Sequence, residues 1–274
     1  MKYHFFDYKW NIPGFQSDLF STPHLIYIAL VFVLAPILAC CLRKIKRERI
    51  EQLLKILAIA AIVLEITKVS WESYYDITTG RGFNWEGILP IYSCSLYIYT
   101  LFCAAFFKGK IKETALAFLS TIGMLFGGIG VIYCNGLNYY PFWTFGAFYS
   151  LYFHSAMFCT GLFLLISGYQ KPSFRMVPLS FIPILLLSLV AIPVNYALGA
   201  DYMSLYSGSS IPLYEDLAAF LASRGLRPIY TAIMLLTHLP LAALVVSVSS
   251  AIAWLCARVK SRREKRAAPP SQRV

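Results

Sequence analysis

Charge is what this chain has least of. Only 14% of its residues are Asp, Glu, Lys or Arg, against 58% hydrophobic, where a soluble domain carries about 25% charged residues. That shortage excludes an ordinary soluble fold. The ~10-residue stretches of alternating apolar and polar character that barrel strands need are missing too, which excludes a membrane barrel. There is no CxxC, no HExxH and no Gly-rich phosphate loop, so no metal, nucleotide or other cofactor is expected. Asn-x-Ser/Thr is absent, so glycosylation gives no clue to compartment. The first ~20 residues lack the basic start and apolar stretch of a cleavable signal peptide.

What the chain has is apolar runs of ~20 residues, each enough to cross ~30 Å of hydrocarbon as a helix. Seven spans are predicted: Thr22–Leu42, Leu53–Tyr74, Leu89–Phe107, Glu113–Cys134, Gly146–Ser167, Val177–Gly199 and Ile229–Ala257. The expected fold is an all-α polytopic bundle over residues 22–257. A segment of residues 1–21 precedes it and a basic tail, 258–274, follows. Arg43, Lys44, Lys46, Arg47 and Arg49 fill the first connection, and Lys108, Lys110 and Lys112 the third. Lys171 and Arg175 lie in the fifth, and six more cations begin the tail. The even-numbered connections hold only Arg81, Arg224 and Arg227. The positive-inside rule then puts the N-terminus outside and the C-terminus inside. The net charge of +11 is thus topological. It indicates no nucleic acid, and the tail suits anionic lipid. Residues from Ala267 to Val274, with Pro269-Pro270, read as disordered. The default location is a bacterial plasma membrane.

Against this background the charges inside spans stand out. Lys68 sits in an apolar run with Glu65 three residues before it and Glu72 four after it. Residues at i, i+3 and i+4 share a helix face, and each charge near mid-bilayer costs about 2.5–3.5 kcal/mol on insertion scales. The stripe reads either as a structural ion-pair clasp or as part of an active or transport site. At ~1.5 Å per residue, Cys94, His154, His238, Lys68, Glu72 and Asn195 fall at one level in the outer half of the bundle, with Asp201 at its mouth. The expectation is an outward-opening polar pocket. Pro193 and Pro240 free helix carbonyls near that level and read as kinks. Gly123, Gly127, Gly128 and Gly130 read as a close helix-packing face. In the last outer connection, Leu213, Leu217, Phe220 and Leu221 repeat at helical spacing before Gly225. They predict a short helix, lying on the membrane surface or packed on the bundle.

Cys94 and His154 are the candidate nucleophile and base. A thiolate is the reactive form of cysteine, a nearby His or Lys favours it, and a thioester divides acyl transfer into two easier steps. The bland alternatives are a small packing residue and a hydrogen-bonded core histidine. The remaining six cysteines form no framework.

Three segments carry a family resemblance. Leu89-Pro90-Ile91-Tyr92-Ser93-Cys94-Ser95-Leu96 is similar to the "LPLHLCDL" segment of the YwaF-like integral membrane family. Tyr152-Phe153-His154-Ser155 resembles that family's His-bearing helix, and residues 193–205 resemble its "N…LGTNYMFL" segment. That family looks related to transmembrane protein 164, a eukaryotic seven-helix acyltransferase that remodels ether phospholipids. The resemblance implies a paired role for Cys94 and His154. The sequence departs from the pattern at Tyr92-Ser93, at Ser95 and at Asp201, losing a His and an Asp beside the cysteine. The expected function is therefore lipid acyl transfer or hydrolysis, with membrane lipids as partners. Lys68 or Asn195 would stabilise the oxyanion, and Glu65 and Glu72 would hold Lys68. His238 would line the pocket. The alternative is an ion- or proton-coupled transporter using the Glu65–Lys68–Glu72 stripe. A receptor ranks below both.

Overall fold

A computed structural model describes residues 3–208 and 212–267. Ten α-helices are seen among them: α1 Thr22–Leu42, α2 Arg47–Thr78, α3 Trp85–Ile88, α4 Leu96–Phe106, α5 Gly109–Phe118, α6 Met124–Ile132, α7 Phe145–Ile166, α8 Met176–Leu198, α9 Pro212–Ala222 and α10 Arg227–Ala267. There is no strand among the described residues. Five helical stretches are long and apolar enough to cross a membrane: Thr22–Leu42, Gly109–Asn138, Phe145–Ile166, Met176–Leu198 and Arg227–Val259. Many of their large apolar side chains point outward, such as Leu189 and Leu186 of α8, as lipid-facing positions require.

The helices pack in a connected set. The α6 helix lies along α7, α5 along α8, α2 along α4, α1 on α7 and α10 on α8. Glycines permit the closest of these approaches. A Cβ on Gly127 would stand 2.5 Å from the Phe158 nitrogen, and one on Gly161 2.3 Å from the Leu119 carbonyl oxygen. This is the expected small-residue face. A π-helical turn, Leu119–Gly123, joins α5 to α6. The α8 and α10 helices run on through Pro193 and Pro240.

The third predicted span departs most from expectation. Only Leu96–Phe106 is a helix of any length there; eleven residues rise ~16 Å, about half the hydrocarbon thickness. Residues 89–95 are irregular. Pro90 disfavours helical backbone at the residue before it, and Leu89 is extended, with ψ at 134°. Side chains satisfy the freed backbone groups. Tyr202 accepts from the Leu89 amide at 3.3 Å and donates to the Trp85 carbonyl at 3.1 Å, and Tyr99 donates to the Pro90 carbonyl at 2.7 Å. Irregular backbone at membrane depth survives only with such internal partners.

Two further differences concern the surface. The α9 helix lays Ala218 and Leu221 into the bundle, whereas Leu213 and Phe220 face away. It is a helix packed on the bundle. The α10 helix continues to Ala267, so residues 258–267 of the basic tail are helical; the expected disorder after them falls on residues outside those described.

Candidate functional site

Ionisable residues of α2 follow one another at i, i+3, i+7 and i+11: Glu65, Lys68, Glu72 and Asp76. Glu65 and Asp76 are buried, and Lys68 and Glu72 nearly so. The partners differ from those expected. Lys68 pairs with Glu72 at 2.7 Å, while Glu65 accepts a hydrogen bond from the Tyr149 hydroxyl of α7. The Lys68 ammonium also lies 5.9 Å from the centre of the Tyr149 ring. Among the described residues Glu72 is the carboxylate that pairs with Lys68. Asp76 continues the same four-residue spacing, and that spacing is its signal in the sequence. Tyr149 gave no such signal, because one tyrosine among 19 announces nothing.

Cys94 lies in the irregular stretch just before α4, not within a helical span. It is half-buried and packs in the cluster that holds Tyr97, Tyr149 and Phe153. The charged side chains that bear on its sulfur are Glu65 and Lys68. His154 is placed differently. Its Nδ1 is 2.7 Å from the Ser150 carbonyl oxygen, to which it must donate. That leaves Nε2 as the acceptor in the neutral ring. The ring lies flat on α6: a Cβ on Gly130 would come within 2.0 Å of the His154 Cδ2. Among the described residues no hydrogen bond joins Cys94 to His154.

The other expected pocket residues hold the fold together. Asn195, 1% exposed, clasps the loop after α8. Its amide donates to the Tyr202 carbonyl at 2.9 Å and accepts from the Tyr202 amide at 2.7 Å. The amide oxygen and one of its two N–H groups are thus spent on the clasp. Asp201 accepts from the amides of Tyr206 and Ser207 and from the Ser207 hydroxyl, which shapes the same loop. Met203 and Ser204 there take positive φ values of 60° and 54°, and Tyr230 and Thr231 of α10 bind the Ser204 and Leu205 carbonyls. The family-like segment 193–205 is thus a rigid clasp. Replacing Asn195 by alanine strands two buried backbone groups. We expect a loss of about 2–6 kcal/mol, at about 1–3 for each stranded group, read as a lower melting temperature in detergent. His238 is buried, its Nδ1 at 2.9 Å from the Met234 carbonyl and its ring against Phe126; it packs α10 onto α6.

Residues 3–21 close one end of the bundle. Tyr8 is 1% exposed, stacks on Tyr75 and meets Trp71 and Tyr140 edge-on or tilted. The Trp71 indole donates to the Phe6 carbonyl at 3.0 Å, and the Phe145 amide to the Phe5 carbonyl at 2.6 Å. Burial first, then the charges of Glu72 and Asp76, push the Tyr8 phenol well above the usual tyrosine value. It stays neutral beside the carboxylates. At the same end opens a polar pocket of about 460 Å³, lined by Trp10, Asp76, Arg81, Phe83, Asn84 and Trp85 among others. None of the pocket residues expected from sequence lines it.

The fold and this cluster define a multi-pass helical membrane protein with ionisable groups inside its bundle. The model of the TMEM164 family matches residues 19–257, and the chain belongs to that family. No curated protein and no solved structure matches it.

Proposed function

We propose that this protein transfers acyl groups between membrane lipids, or from lipid to water, through a thioester on Cys94. The carrying observation is the setting of Cys94: a cysteine on irregular backbone at the start of α4, with Lys68 and Glu65 as the charges acting on its sulfur. The Glu65 carboxylate opposes a thiolate more strongly than the Lys68 ammonium favours one, so the sulfur attacks as a thiol whose proton is removed by a base, with the start of α4 favouring the developing negative charge. Membership of the TMEM164 family supports the reading through the paired roles that the family resemblance gives Cys94 and His154.

In the first half-reaction the Cys94 sulfur attacks an ester carbonyl. The S–C bond forms, the ester C–O bond breaks, and the thiol proton passes to the departing alcohol. In the second, a lysolipid hydroxyl or water attacks the thioester, its proton returns to the sulfur and the thiol is regenerated. His154 carries these protons through Nε2, once its ring leaves the Gly130 face. Lys68 faces the oxyanion. The bundle crosses a bacterial plasma membrane seven times, α2 and the short α4 included, with the Asp76 end outside and the lysine-rich connections inside.

The test is turnover of a phospholipid ester by purified protein in vesicles. Cys94→Ser, folded as judged by circular dichroism, is expected to lose activity by at least about 100-fold, because the thioester route is closed. Wild-type turnover in Cys94→Ser would sink the proposal. One observation favours transport instead: the four ionisable groups along α2 continue to a polar pocket. Proton flux that persists in Cys94→Ser and vanishes in Glu65→Gln would establish that reading.

A further inference from the structure

We infer that the pocket beside Asp76 is a binding site for a zwitterion whose ammonium and anionic groups sit a few ångströms apart, such as a phosphocholine-type group. The inference does not rest on acyl transfer at Cys94.

The cationic half is specified by Asp76. It is 3% exposed. One carboxylate oxygen accepts from the Trp10 indole at 3.2 Å, and the other, Oδ2, has no hydrogen-bond partner among the described residues. The Tyr8 phenol also bears on this carboxylate, yet a buried carboxylate with one oxygen unbonded is still costly, and a cation lodged next to it offsets that cost. The pocket walls suit an ammonium rather than a bare metal ion. Trp10, Phe83 and Trp85 are aromatic, and the last two rings stand 4.4 Å apart at 57°. Aromatic faces bind alkylammonium ions through the ring quadrupole. This end of the protein already uses that attraction, because Lys9 and Arg81 both stack on Trp10, at 4.9 and 3.8 Å.

The anionic half is specified by Arg81. Its guanidinium is exposed and forms no ion pair among the described residues. Only its backbone amide reaches Asp76, at the Asp76 carbonyl. Stacking on Trp10 occupies the face of the guanidinium and leaves its edge open, and such a fork suits a phosphate or carboxylate. The Asn84 amide in the same wall adds hydrogen-bonding capacity. A simple cation would meet repulsion from Arg81, and a simple anion repulsion from Asp76. A molecule carrying both charges avoids both penalties.

The test is titration of the full chain in detergent, followed by tryptophan fluorescence and calorimetry. The probes are phosphocholine, choline and glycerol 3-phosphate. Saturable binding is expected in the order phosphocholine, then choline, with glycerol phosphate weakest. Asp76→Asn should weaken phosphocholine at least tenfold. Arg81→Ala should weaken phosphocholine severalfold but leave choline unchanged or tighter, which a merely structural role would not produce. Trp85→Ala, at a position 59% exposed and so safe for folding, should weaken both. Cys94→Ser should bind normally. Displacement of phosphocholine by nanodiscs of phosphatidylcholine but not of phosphatidylglycerol would identify a lipid headgroup; no displacement by either would identify a free solute. The inference is overturned if phosphocholine fails to saturate, or if Trp85→Ala and Arg81→Ala bind all three probes as wild type does.

Discussion

Gly127→Val is expected to lower the melting temperature in detergent by about 6–12 °C, the range that a loss of about 3 kcal/mol produces in a chain of this size. A Cβ at this position meets the Phe158 nitrogen at 2.5 Å and the His154 carbonyl oxygen at 2.8 Å. Both are backbone atoms of α7, so no side chain can rotate away, and the two helices must separate. Separation removes contacts along the whole α6–α7 seam, which puts the loss at the top of the usual range of about 1–3 kcal/mol for overpacking. Gly128→Ala is the control. Its Cβ meets the Phe158 ring at 3.3 Å and touches the Phe32 ring at an ordinary 3.7 Å, and a small tilt of the Phe158 ring relieves it. Equal melting temperatures for the two variants would mean that the helices are not in this close contact.

Lys68→Met should be costly for a different reason. It leaves Glu72, 17% exposed, without the ammonium that lies 2.7 Å away. Breaking a buried pair by removing one partner costs about 3–5 kcal/mol, whereas replacing both partners is often neutral. The double variant Lys68→Met/Glu72→Gln should therefore recover most of the stability lost in the single one. Melting curves of the four proteins give the coupling directly. Additive losses would show that Glu72 does not depend on Lys68. Glu65→Gln should couple to Lys68→Met far less, since Glu65 rests on Tyr149.

These two variants mark what sequence can and cannot reveal in such a bundle. The glycine face was legible because small residues at helical spacing have one economical use between membrane helices. The α2 stripe was legible because charge is scarce and spacing is regular. Pairing within the stripe was not, since the side chain that takes Glu65 comes from Tyr149, far along the chain and chemically ordinary. The third span misled for a related reason: hydropathy counts apolar residues and ignores that Pro90 stops the helix. It therefore could not show that Tyr202 and Tyr99 would repair the broken backbone. Asn195 and His238 were placed at the right level, but depth says nothing about direction. Both turn out to serve neighbouring backbone carbonyls. The polar pocket beside Asp76 is not legible in the sequence because its walls come from four separated stretches, residues 10, 76, 81–85 and 198.

The tucked segment also dictates an order of assembly. Phe5 and Asp18 hold the backbone of Phe145 and Phe142, residues synthesised more than 120 positions later. At translation rates of about 5–20 residues per second, the segment must wait at least several seconds for its partners to exist. Until then Tyr8 has Trp71 and Tyr75 to pack on but lacks Tyr140, and the Glu72–Asp76 end of α2 is incompletely covered. Capping that end thus waits for the start of α7, and a nascent chain stalled before Phe145 would display an epitope around Tyr8 that the finished protein hides.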